Sequence, residues 1–143
     1  MILSKRTYWI LSWTWGIIMT IIGFIATKAL NLLGCKTERN IYGYRTYFGK
    51  GWGGVDLGPF CIVSKDSTQH TFNHEFGHSI QNCFLGPLFP FIVAIPSAAR
   101  YWYHRYKLEV EKVPYETLPA YDSIWFEGTA TDIGNKYYKA QSN

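Results

Sequence analysis

The amino-acid sequence predicts an α+β fold in which an N-terminal transmembrane helix precedes a small mixed domain. Residues 8–27 form an uncharged run of 20 residues, which is long enough to cross a bilayer as a helix. The segments 41–48 and 55–64 are rich in β-branched and aromatic residues and flank a glycine-rich reversal, so they predict a β-hairpin. Two helices are predicted after the hairpin, one ending near Phe84 and one from Ile124 to about Ala140.

Length and composition limit the chain to one small domain beside the membrane segment. We assign residues 1–34 to the transmembrane segment and residues 35–143 to the domain. The formal net charge of +4 is mild and dispersed, with no Lys/Arg block, which argues against a nucleic-acid-binding surface. The three cysteines share no CxxC spacing and therefore predict free or buried thiols rather than a disulfide framework.

The N-terminal run has the features of an uncleaved, single-pass span. Trp9, Trp13 and Trp15 lie towards its start, as the residues of an aromatic belt do. A cleaved signal peptide is disfavoured because residues 26–29 make a poor cleavage site. Cleavage and acylation at Cys35, which follows Leu-Leu-Gly, remains an alternative. A lipid bilayer is in either case an expected partner.

The orientation of the predicted span follows from its flanking charges. More Lys and Arg residues follow the span than precede it, and cytoplasmic loops carry the excess of positive charge. Unpaired thiols suit the same reducing compartment. We therefore expect a single-pass membrane protein with its C-terminal domain in the cytoplasm.

Gly58 and Pro59 interrupt the second predicted strand and mark a bend or an edge there. If the hairpin leaves one edge free, its main-chain groups can pair with an extended peptide. Simple cover for a neighbouring helix is the alternative role.

The stretch from Thr71 to Gln81 contains His-Glu-x-x-His in a helix-compatible setting. Because residues four apart share one face of a helix, His74 and His78 can bind a single metal ion, for which zinc is the natural candidate. Glu75 lies beside them, where it can take a proton from a metal-bound water. His70 continues the spacing, but about 12 Å of helix separates it from His78, too far for both to reach one ion.

A catalytic zinc site takes three protein ligands and keeps one position open, so one more ligand is needed. Glu127 on the predicted C-terminal helix is the preferred candidate, because Ala130 and Gly134 keep the same helix face small and let two helices approach. Asp132 is the competitor, either as ligand or as the acceptor that orients a ligand histidine. Three other acidic residues lie in a predicted loop and are lesser candidates: Glu109, Glu111 and Glu116.

The stretch His-Glu-Phe-Gly-His resembles the motif of the zincin metallopeptidases, and the later glutamate resembles the gluzincin arrangement. This resemblance implies that His74, His78 and Glu127 bind Zn²⁺ and that Glu75 is the general base of a peptidase acting on peptide or protein substrates. Gluzincins often place an Asp four residues after the ligand Glu, whereas this chain has Thr131 there. The order of motifs is also similar to small, mostly uncharacterised bacterial membrane-associated zincin-like proteins.

Two other interpretations stand beside the peptidase. Site-2 type intramembrane proteases also use His-Glu-x-Gly-His, but here residues 64–70 before the motif are polar and no Asp-Gly partner motif is present. The second is a zinc-stabilised membrane module that binds a partner and cleaves nothing, since a domain of this size leaves little room for a substrate cleft. Glu75 favours the enzyme, because purely structural zinc needs no base beside its ligands.

Residues 83–99 form a second apolar stretch, broken by Pro87, Pro90 and Pro96. Proline breaks make a second span unconvincing, so the stretch predicts either a buried, proline-broken core helix or a re-entrant or interfacial segment. His104 follows in a stretch of aromatic and cationic residues, from which it could reach the reaction centre as an oxyanion donor.

Overall fold

The computed structural model describes residues 2–142 and confirms the α+β class. The chain forms five α-helices and one four-stranded mixed sheet within these residues. The elements are α1 (Lys5–Trp13), α2 (Ile17–Leu32), β1 (Thr37–Asn40), β2 (Gly43–Tyr47), β3 (Gly54–Leu57), β4 (Phe60–Val63), α3 (Gln69–Leu85), α4 (Ile95–Glu109) and α5 (Trp125–Gln141).

The predicted continuous helix over residues 8–27 is wrong, because the chain breaks after α1 and α2 leaves at a bend of 88°. Tertiary contacts with α3 hold the bend. The Asn82 side chain donates to the Gly16 carbonyl at 3.3 Å, and a Cβ at Gly16 would overlap the Asn82 amide. The Trp15 indole donates to the Phe84 carbonyl at 3.3 Å. The break is therefore a packed corner rather than a local kink.

Within residues 2–142, no helix is on its own long and apolar enough to cross a membrane. Two helix pairs, each bent at a short break, do reach the length and composition of a span. They are Lys5–Trp13 with Ile17–Leu32, and Gln69–Leu88 with Pro90–Glu109, the latter bent by 118°.

Where the sequence predicted a two-stranded hairpin, the structure has a four-stranded sheet with the order β1-β2-β4-β3. The second predicted strand divides at Gly58-Pro59, which forms the turn of an antiparallel β3–β4 hairpin, with Gly58 at a φ of 68°. The first predicted strand is β2, which pairs with β4 in parallel and with β1 antiparallel. The expected pairing was therefore wrong, while the expected bend at Gly58-Pro59 is present. β3 lies at the edge of the sheet.

The two helices predicted after the sheet are confirmed as α3 and α5, each to within a residue or a turn of its expected limits. Between them the apolar stretch is not one helix. A 3₁₀ turn (Gly86–Leu88) begins at Gly86, which has a φ of 53°. A short π-helix (Pro90–Ala94) follows and leads into α4. α4 also takes in the aromatic and cationic stretch that follows.

The core lies around α3, which packs on the sheet, on α1 and most extensively on α5. Tyr8 of α1 is buried against α3 and its hydroxyl shares a 2.5 Å hydrogen bond with Ser79. A second apolar cluster joins α2 to the turn after α3 and to the start of α5 through Met19, Phe89 and Phe126. These contacts fix α3 between the sheet and α5.

Candidate metal centre

The structure brings His74, His78 and Glu127 together. The Nε2 atoms of His74 and His78 lie 2.9 Å and 3.2 Å from the same oxygen, Glu127 Oε2. One candidate ligand atom from each of the three side chains lies within 4.8 Å of the other two. Two atoms from successive turns of α3 and one from α5 can thus bind a single metal ion.

Close packing of α3 on α5 allows this convergence. A Cβ at Gly77 would overlap the Ala130 carbonyl, and a Cβ at Gly134 would overlap the Asn73 carbonyl. Each glycine therefore lets one helix backbone lie directly against the other. Glu127 is on the first turns of α5 and is fully buried, so this contact also sets the depth of its carboxylate.

Hydrogen bonds orient both imidazole rings. His78 Nδ1 lies 2.8 Å from Gln81 Oε1, and the Gln81 amide donates to the Phe126 carbonyl at 2.8 Å. This carbonyl bond fixes the amide orientation, so Nδ1 donates to Oε1 and Nε2 is the ring nitrogen that faces Glu127. His74 Nδ1 lies 2.8 Å from the Thr131 hydroxyl. Both rings can therefore present Nε2 to an ion.

The electrostatics of the cluster favour a cation. Burial acts to raise the pKa of Glu127, but hydrogen bonds with His74 and His78 outweigh it and hold that pKa well below its usual range. Burial acts to lower the pKa of His78, and the hydrogen bond with Glu127 together with the charge of Glu75 reverses the direction to raised. Glu127 Oε1 is buried without a hydrogen-bond partner among the described residues. The other oxygen, Oε2, faces both imidazoles, so this carboxylate and the two rings fit a metal ligand set.

Glu75 lies beside this cluster, held against the edge strand. A Cβ at Gly54 would crowd the Glu75 carboxyl group, so the absent side chain makes room for it. Burial raises the pKa of Glu75, opposed by His78, His74 and a hydrogen bond from the Asp56 backbone, and reinforced by the Glu127 charge. β3 therefore positions the Glu75 side chain, and the raised pKa of Glu75 favours its accepting a proton.

His74, His78 and Glu75 line a cleft of about 820 Å³, and Glu127 lies buried behind the two histidines. The edge strand β3 forms one wall, and Met19 of α2 with Phe89 and Val93 contributes another that is mostly apolar. His104, which the sequence suggested as an oxyanion donor, lines the cleft. The Tyr121 ring lies between His104 and the candidate ligand His74. The ring centroids are 6.4 Å apart for Tyr121 and His74 and 5.6 Å for Tyr121 and His104.

The competing acidic residues lie elsewhere. Asp132 is exposed on α5, one position beyond Thr131, which makes the contact with a histidine in its place. Glu109 and Glu111 form ion pairs with Arg105 and Lys107 on the surface. Glu116 is exposed, and so is His70 at the start of α3.

Gln81, Gly54 and Tyr121 are site residues that the sequence analysis missed. Only Gln81 had a detectable signal, since it stands three residues after His78 and thus on the same side of the helix. Gly54 and Tyr121 reach the site through pairing and packing that no local pattern indicates.

Comparisons with known proteins give no assignment: no family model, no curated protein and no solved structure matched this chain significantly.

Proposed function

We propose that the protein is a zinc-dependent metallopeptidase that hydrolyses peptide bonds. The observation that carries this proposal is a buried glutamate, Glu75, next to a three-ligand set that opens into a cleft. Two imidazole nitrogens and one carboxylate oxygen form a ligand set typical of catalytic zinc, which leaves a fourth position for water or substrate. Zinc bound there supplies a Lewis acid that polarises a carbonyl group and acidifies water.

In this proposal Glu75 moves the proton. It takes one proton from the water as the water oxygen attacks the peptide carbonyl carbon, and later gives that proton to the leaving nitrogen as the C–N bond breaks. The Glu75 side chain is already desolvated and held by Gly54 and Asp56, so the base needs little reorganisation before the step.

The edge strand supports a peptide as the substrate. β3 pairs with β4 on one side only, and residues Gly54–Leu57 line the metal cleft along their length. An extended peptide can add to this edge through main-chain hydrogen bonds, while the apolar wall receives its side chains. A substrate with apolar side chains is therefore expected to be preferred.

The test is the substitution Glu75→Gln, with Glu116→Gln as a matched control at an exposed position. The Glu75 variant should retain one zinc per chain and lose roughly a hundredfold to ten-thousandfold in cleavage of an unfolded, apolar-rich polypeptide. The control variant should cleave as the parent does. Chelation should abolish cleavage and added zinc should restore it.

Equal cleavage by the Glu75 variant and the parent would reject the mechanism. A zinc-loaded parent that cleaves no member of a broad substrate panel would instead support the second candidate, a zinc-stabilised binding module. That candidate retains the ligand set and gives the buried ligands a purely structural role.

A further inference from the structure

The outer face of α2 is a continuous apolar surface. Ile18, Ile21, Ile22 and Ile25 follow the i, i+3, i+4, i+7 spacing and are 42–61% exposed. The opposite face of the same helix is buried, with Gly23 against Leu57 and Phe60. α2 therefore covers the sheet with one face and presents isoleucines outward with the other.

A second apolar surface adjoins the first at the two helix corners. The Trp15 indole packs directly over Gly86, where α3 ends, so the bend between α1 and α2 touches the bend after α3. Large apolar side chains are exposed around this second bend too, namely Phe84, Leu88, Phe91 and Ile95. We call these four residues, the four outer isoleucines of α2, Trp13 and Trp15 the apolar corner.

The sequence segments that form the apolar corner carry charges of one sign. Segments 2–37 and 76–108 contain seven of the chain's Lys and Arg residues and none of its Asp or Glu residues. Three cations on α1 and α2, the helices that carry part of the corner, belong to no ion pair between described residues: Lys5, Arg6 and Lys28. The Lys28 ammonium lies 5.6 Å from the centre of the Phe24 ring, another exposed apolar side chain of α2. An apolar surface with a cationic border complements an anionic, apolar partner.

We propose that the apolar corner docks onto the surface of an anionic lipid membrane. The outer face of α2 and the bend after α3 enter the boundary between headgroups and acyl chains, with the two indoles at that depth. Lys5, Arg6 and Lys28 meet the headgroup phosphates. In this arrangement the two bent helix pairs lie at the membrane surface and do not cross the bilayer.

Docking also positions the metal cleft, and this step rests on the proposed function. Met19, Phe89 and Val93 line the cleft, while their neighbours Ile18, Ile22 and Phe91 face outward at the corner. The cleft wall and the docking surface are thus two sides of the same helices. The substrates expected at the cleft are apolar polypeptide segments at or emerging from the membrane surface.

The experiment adds the folded full-length chain to preformed vesicles and measures co-flotation. Phosphatidylcholine vesicles and vesicles that also contain phosphatidylglycerol are compared. The double variant Ile21→Glu with Ile25→Glu should lose roughly tenfold or more in affinity for both. The control variant Ile41→Glu changes an apolar side chain of similar exposure, 52%, in the β1–β2 turn and should bind as the parent does. Lys28→Gln should lose roughly fivefold, and only on anionic vesicles.

Zinc content of each variant is measured in parallel. Docking requires neither Glu75 nor hydrolysis, so the vesicle result stands whether or not the peptidase proposal survives. The docking proposal is overturned if the parent binds neither kind of vesicle or if the double variant binds as well as the parent. It is also overturned if the parent is a dimer that the double substitution dissociates while vesicle binding is absent, since a second copy then covers the corner.

Discussion

Two close contacts through glycine organise this molecule, and they have different consequences. Gly77 and Gly134 let α3 and α5 meet backbone to backbone, and the three candidate metal ligands converge beside that contact. Gly23 lets α2 lie on β3 and β4, and the opposite face of α2 stays exposed and apolar. The first contact sets the positions of reactive atoms, whereas the second sets the direction of a surface. Damage to one should therefore leave the function of the other.

The largest effect is expected from Gly77→Val. The added side chain would overlap the Ala130 carbonyl and force α3 and α5 apart, at a cost of about 3 kcal/mol or more. Zinc affinity should fall with stability because the ligands separate. Urea unfolding and zinc titration measure both. The control Lys136→Val places the same side chain at an exposed position of α5 and should change little. A stable Gly77 variant with parental zinc affinity would show that the α3–α5 contact does not position the ligands.

The next effect separates Glu127 from Asp132. Glu127→Ala should lower zinc affinity by orders of magnitude and destabilise the fold, because a ligand and its linked binding energy are lost. Asp132→Ala should leave zinc affinity within about twofold, since this carboxylate is exposed and touches neither histidine. Competition titration against a zinc-binding dye decides between them. Loss of zinc in the Asp132 variant with retention in the Glu127 variant would exchange the two roles.

A smaller effect is expected from Gly23→Ala on the second contact. The new methyl group would overlap the Leu57 carbonyl and lift α2 from the sheet, which should cost about 1–3 kcal/mol. The zinc affinity of the folded fraction should stay at the parental value. Chemical unfolding followed by zinc titration below the unfolding transition gives both quantities. A fall in affinity comparable to that of Glu127→Ala would mean that the two contacts are coupled.

The smallest effect concerns Asp56, which lies on β3 between the metal cleft and a second cavity of about 250 Å³. Burial and the charge of Glu75 raise the pKa of Asp56 well above its usual value, and its Oδ1 has no partner among the described residues. The folded state therefore holds this proton more tightly than the unfolded state does. Stability should fall as pH rises from the unfolded pKa to the raised pKa.

Asp56→Asn should remove this pH-dependent loss. The variant should unfold at higher urea than the parent at neutral pH and near the parental urea concentration below the ordinary pKa of aspartate. If the Asp56 variant and the parent have the same urea midpoint at every pH, the burial argument is contradicted.

The residues that sequence predicted best are those whose geometry is local. His74 and His78 share a face because a helix repeats every 3.6 residues, and Ala130 and Gly134 marked the small face of α5 for the same reason. Both helices have nearly the expected limits. The convergence of Glu127 on them required only that two correctly predicted helices pack through their small faces.

Some features that sequence predicted badly depend on distant contacts. The break after α1 is fixed at Gly16 by Asn82, which lies 66 residues away along the chain. The short charged strand Thr37–Asn40 carries no apolar pattern, so β1 was missed. The parallel β2–β4 pairing follows from the division of one predicted strand into two at Gly58. The Asn82 contact and the β2–β4 pairing lie outside a local sequence window, whereas β1 is a local hairpin strand whose composition gives no strand signal.

Zinc content per chain tests the central claim most directly. Elemental analysis of the purified, dialysed parent should give one zinc per chain, and so should the Glu75→Gln variant. The His74→Ala variant should give far less, because one of the two α3 ligands is gone. A folded parent that binds no zinc, or a His74 variant that retains one zinc per chain, would contradict the metal centre described above.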